Sequence, residues 1–133
     1  MVSFKWSIYH SAAVAICDGA AGEHQYTDER VRDPEVQRLR ERISVQADAS
    51  LREDEADVAI TLADGKVLER HVEHAIGSAG NPMSDRDLED KFRGLADGAL
   101  PPAQTDALIE KCWSVATLSD VAEIARMAVP KSP

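Results

Sequence analysis

Val58-Ala59-Ile60-Thr61-Leu62-Ala63-Asp64-Gly65-Lys66-Val67-Leu68 is the stretch that decides the fold class. Val58, Ile60 and Leu62 recur at every second position, the period of a strand with one face buried. Asp64-Gly65 follows directly and leads into the run from Lys66 to Glu73. That is the composition of a type I′ hairpin turn, in which both central residues take positive φ. A β-hairpin is therefore expected. Upstream, beyond the charged loop Arg52-Glu53-Asp54-Glu55, Ile43, Val45 and Ala47 alternate in the same way and predict a third strand.

Outside this region the period is helical. From about Trp6 to Cys17 the chain carries Ile8, Ala12, Ala13, Val14, Ala15 and Ile16 almost without a polar stripe, and it stops at Asp18-Gly19. This predicts a largely buried helix. Asp33-Pro34-Glu35-Val36 puts a capping residue before a proline at the first helical position, with Val36, Leu39 and Ile43 as the apolar stripe. After Gly77-Ser78-Ala79-Gly80-Asn81-Pro82, Ser84 and Asp87 have the spacing of a capping box. A helix should begin there with Leu88, Phe92 and Leu95 on its inner face. Two more follow, one after Pro101-Pro102 bearing Leu108, Cys112 and Val115, the other capped near Ser119 and bearing Val121, Ile124 and Ala128. The simplest way to bury these stripes is an α+β two-layer sandwich, one antiparallel sheet with helices packed on one face.

With 133 residues, 44% of them hydrophobic, a single domain spanning 1–133 is the expectation. Acidic residues outnumber basic ones 24 to 15, a formal net charge of -9 that repels phosphate backbones and anionic lipid, so neither nucleic acid nor membrane is an expected partner. No segment approaches the roughly 20 apolar residues of a membrane span, and Met1-Val2-Ser3-Phe4-Lys5-Trp6 lacks the layout of a signal peptide; the reading is cytoplasmic. Cys17 and Cys112 lie in apolar helical patterns and read as small buried hydrophobes, with no metal or disulfide framework. Disorder is expected only at Lys131-Ser132-Pro133.

Few residues qualify for chemistry. Tyr9 and His10 open an otherwise apolar helix, so each polar tip is either hydrogen-bonded in the core or turned into a cleft. An imidazole there would both accept and donate a proton near neutrality. His71 and His74 are three apart on an expected strand and should point to opposite faces, which argues against a shared metal ion. His24 reads as a solvated loop residue. Glu53-Asp54-Glu55 and Asp28-Glu29 read as surface, because neither has the alternating ligands and glycine turn of a calcium loop. Nucleophile elbow, phosphate-binding glycine loop and CxxC pair are all absent from the sequence.

Taken in order, several segments resemble the C-terminal domain of the MmgE/PrpD, or 2-methylcitrate dehydratase, family. Lys5-Trp6-Ser7-Ile8-Tyr9-His10-Ser11-Ala12-Ala13-Val14-Ala15, closed by Asp18-Gly19, is similar to that family's active-site aromatic opening an alanine-rich helix. Gln25-Tyr26-Thr27 with Asp33-Pro34-Glu35-Val36 resembles the next helix, and Ala63-Asp64-Gly65-Lys66 the hairpin. Gly77 through Asn81-Pro82-Met83-Ser84 to Lys91-Phe92 resembles its Gly…Asn-Pro-x-Ser…Lys-Phe signature.

The resemblance implies a lyase or isomerase acting on small di- or tricarboxylates, without an obligatory organic cofactor and commonly dimeric. It also implies a large helical domain, in cis or in trans, that holds most of the catalytic groups. The isolated chain would then lack a complete active site. An ungapped reading places His10 where many members have a catalytic tyrosine, with Tyr9 one residue before it. This implies an acid–base role for His10 and hydrogen-bond donation by Tyr9, while leaving open which of them faces substrate. Asn81 and Ser84 are implied substrate-binding residues, since their loop leads to a helix N-terminus; a structural turn and cap is the alternative. A stand-alone binding or dimerisation module remains the competing function.

Overall fold

The computed structural model describes residues 7–130. Trp6, assigned above to the first helix, and the tail at Lys131-Ser132-Pro133 lie outside the described residues. The fold is α+β: six α-helices and one two-stranded antiparallel sheet among the described residues. These form two compact units, one from the residues up to Val45 together with those from Glu89 onward, the other Gln46–Leu88.

In the first unit, α1 (Ile8–Asp18) starts at Ser7, whose hydroxyl accepts the His10 N–H, and ends at Gly19. Two short helices follow, α2 (Asp28–Arg32) and α3 (Pro34–Arg40). Ala13 and Val14 pack on Val36 of α3, with Cys17, Leu39 and Ile43 around them. This contact covers one side of α1 only. Ile8 and Ile16 remain 57% and 49% exposed, so the helix is one-sided rather than largely buried.

Charge closes the far end of this cluster. Arg30 grips the Asp18 carboxylate through both Nε and Nη2 and bonds Asp33 Oδ2 at 2.8 Å through Nη1. Asp33 also caps α3, accepting the N–H groups of Glu35 and Val36. The Arg30 hydrogen bonds hold the Asp18 carboxyl below its ordinary value of 3.8, and the capped backbone N–H groups do the same for Asp33. A depressed native pKa adds stability that is complete above the ordinary value and lost as pH falls through the native one. Acid unfolding of this unit is therefore expected to set in below about pH 4. Fluorescence-monitored acid titration of Asp18→Asn should show a flatter acid limb than the parent; identical limbs would contradict the linkage.

The same unit contains the C-terminal part of α4 (Asp85–Ala96), α5 (Pro102–Trp113) and α6 (Ala122–Met127). Thr105, Leu108, Ile109 and Ala96 are buried. Arg93 of α4 bonds Asp106 at 3.0 Å, and Trp113 donates its indole N–H to Glu89 at 2.9 Å. Glu89 and Arg93 thus lie on the side of α4 turned to α5. Leu88, Phe92 and Leu95, expected on the inner face, lie on another side and are exposed. Cys112 is likewise exposed rather than buried, as are Val115 and Val121; only Cys17 packs against a core, and burial pushes its thiol up.

In the second unit, β1 (Ala56–Thr61) pairs antiparallel with β2 (Val67–Val72), with Asp57 opposite His71 and Thr61 opposite Val67. The turn differs from the one expected. Gly65 alone takes positive φ, at 85°, and Asp64 does not. The Gly65 N–H bonds Leu62 O, and the Leu62 N–H bonds Lys66 O at 2.8 Å. This is a tight turn closed by a left-handed glycine, a three-residue loop that asks positive φ of one residue only. The third strand does not form. Ile43 still donates to Arg40 O as the chain leaves α3, and residues 43–48 run irregularly. No helix of the described residues is long and apolar enough to cross a membrane.

Candidate functional site

The first turn of α1 sends its two polar aromatic residues in opposite directions. His10 is wholly buried; its Nε2–H donates to the Gln25 carbonyl at 2.7 Å, and the ring meets Tyr26 edge-on at 5.2 Å. Because a carbonyl oxygen only accepts, Nε2 must carry the proton. Beside it Tyr26 donates to Ser11 Oγ at 2.7 Å, and Ser11 passes its own proton to Ser7 O at 3.0 Å. These bonds tie the helix start to the turn at Glu23–Tyr26.

Tyr9 points outward, 42% exposed. It lines an open depression of about 280 Å3 with Ser7, Gln37, Arg40 and Glu41. The last three come from the end of α3, which the α1–α3 packing carries to the start of α1. A guanidinium and a phenol at one concavity are suited to a carboxylate and to hydrogen-bond donation at an adjacent oxygen.

The other expected site residues belong to the second unit. The Asn81 amide donates to His74 O at 3.2 Å. Ser84 gives its hydroxyl proton to Asp87 at 2.6 Å and accepts the Asp87 N–H, so the capping box read from the sequence is formed. The Asp87 carboxylate in turn accepts the Ser84 N–H at 2.9 Å. His71 pairs with Asp57, and His24, solvent-exposed as expected, pairs with the equally exposed Asp97.

Asp54 and Glu55, read as solvated surface, are half-buried partners. Glu55 bonds Arg52, and Asp54 accepts His74 Nδ1 at 2.7 Å. The Asp54–His74 pair was invisible in the sequence because 20 positions separate the two residues and only the hairpin brings them together. Among the described residues no group of three or more His, Cys, Asp or Glu side chains is placed to hold a metal ion.

The family model described as the MmgE/PrpD C-terminal domain matches residues 2–115. No curated protein matches the chain.

Proposed function

The chain belongs to the MmgE/PrpD C-terminal domain family, and from that premise we propose that it is the smaller domain of a lyase or isomerase that moves a proton next to a carboxylate of a small di- or tricarboxylate. The observation that supports this most is Tyr9 and Arg40 lining the same open depression. Arg40 binds a substrate carboxylate, and Tyr9 supplies a proton or hydrogen bond to the reacting part. His10, inside the unit, is a positioning residue that holds the turn carrying Tyr9. Asn81 and Ser84 shape their loop.

The remaining acid–base groups come from a helical domain in cis or in trans. Its seat is the stripe Ile8, Ala12, Ala15 and Ile16, the side of α1 that α3 leaves uncovered. A stripe at this spacing makes one continuous apolar face. Ile8→Glu with Ile16→Glu puts two charges into it without touching Ala13 or Val14. The expected result is an unchanged circular dichroism spectrum, loss of co-elution with the helical domain in size-exclusion chromatography, and loss of turnover. Intact association and turnover would refute this seat. A homodimer of the isolated chain that the same substitutions dissolve would favour the dimerisation module instead.

A further inference from the structure

A second acid–base pair lies in the hairpin unit, away from α1 in sequence and absent from the reading above. His74 follows β2 and Asp54 precedes β1, and the Nδ1 to Oδ2 distance is 2.7 Å. This hydrogen bond holds the Asp54 carboxyl below its ordinary range, so it is ionised at neutrality and can only accept. Nδ1 therefore carries the proton, and in the neutral ring the lone pair belongs to Nε2.

The ring is also fixed in direction. A Cβ at Gly80 would lie 2.6 Å from Cγ, Nδ1 and Cδ2 of His74, a contact that only glycine avoids. Asn81 holds the His74 carbonyl, and the Ala75 N–H holds the Asp54 carbonyl at 3.0 Å. The His74 side chain is one-third exposed, and among the described residues nothing bonds its Nε2. Asp57–His71, in contrast, is more exposed on both sides and has no glycine pressed against its ring. A clasp that merely closed the hairpin would need the Asp54 bond alone; the approach of Gly80 adds a set direction for Nε2.

We infer that Asp54 and His74 form a proton-transfer pair with His74 Nε2 as the base, acting on a small carboxylic acid. The Nε2 lone pair takes a proton from the carbon next to the carboxylate, and the electrons of that C–H bond pass into the carboxylate. The imidazolium keeps its Nδ1–H on Asp54, whose negative charge offsets the new positive one. Return of the proton to carbon, or to a departing hydroxide as water, restores the neutral ring. Only the identity of the proton donor rests on the function proposed above.

The test uses the full chain labelled with 15N. Long-range 1H–15N spectra, recorded at a pH where the ring is neutral, are expected to show His74 protonated at Nδ1; protonation at Nε2 overturns the inference. Diethyl pyrocarbonate then probes the base. Nε2 attacks a carbonyl carbon, ethyl carbonate leaves and decays to ethanol and carbon dioxide, and the ring loses the Nδ1 proton as it keeps an ethoxycarbonyl group. Peptide mass spectrometry should find His74 modified about fivefold faster in the parent than in Asp54→Asn, the loss of one orienting hydrogen bond. Equal rates overturn the pair. If Asp54→Asn loses the cross-strand amide signals, the parent's tautomer decides alone. Citrate is the ligand probe. Protection of His74 by citrate supports a carboxylic acid donor, whereas full reactivity without protection overturns that donor, and with it the substrate class, while leaving the pair standing.

Discussion

Tyr9→Phe is expected to lower kcat of the enzyme reconstituted with its helical domain by about two to four orders of magnitude, the usual weight of a positioned proton donor. The chain itself should fold as before, because the half-exposed ring stays and only the hydroxyl at the depression is lost. His10→Phe should behave differently. It leaves the Gln25 carbonyl without its ring N–H donor inside the unit, at a cost of roughly 1–3 kcal/mol in stability. Its kcat per folded molecule should fall far less than that of Tyr9→Phe. Steady-state kinetics on protein quantified for its folded fraction separates the two. A stable His10 variant with no turnover, beside a Tyr9→Phe variant of normal turnover, would reverse the assignment.

The largest single loss of stability is expected from Leu108→Ala. Leu108 is 2% exposed on α5, and truncating a leucine in such a place costs about 2–5 kcal/mol, part in transfer free energy and part in the cavity left behind. A domain of this size is held by roughly 5–15 kcal/mol, so the change removes a large fraction. Leu95→Ala on α4 is the control. At 59% exposure it should move stability by no more than about 0.5 kcal/mol. Urea unfolding gives both numbers. Equal midpoints for the two variants would mean that α5 does not carry the core of its unit.

The features legible in the sequence are those that depend on residues close together along the chain. Ser7 and Asp33 cap helices because a side-chain oxygen two or three residues before a free N–H reaches it whatever the rest of the molecule does. Ser84 and Asp87 form their box for the same reason, and Gly65 turns the hairpin because it alone takes positive φ there without strain. The family was legible too, since the motifs that carry it are local and stand in order.

What periodicity could not say is whether an apolar face finds a cover. Leu88, Phe92 and Leu95 form a genuine stripe, yet it is left exposed, while α4 meets α5 through Arg93–Asp106 and Glu89–Trp113. Ile43, Val45 and Ala47 alternate like a strand, but a strand needs a neighbour's N–H and C=O groups, and among the described residues no strand pairs with them. For Tyr9 and His10 the sequence left open which of the two faces outward. Only the packing of α1 on α3 and the turn at Gln25 and Tyr26 decided that the imidazole goes inside and the phenol to the depression. Asp54 and His74 meet for the same kind of reason. Local hydrogen bonds and backbone sterics were thus determined by the sequence itself, whereas the direction each side chain faces depended on which distant surfaces the folded chain brought together.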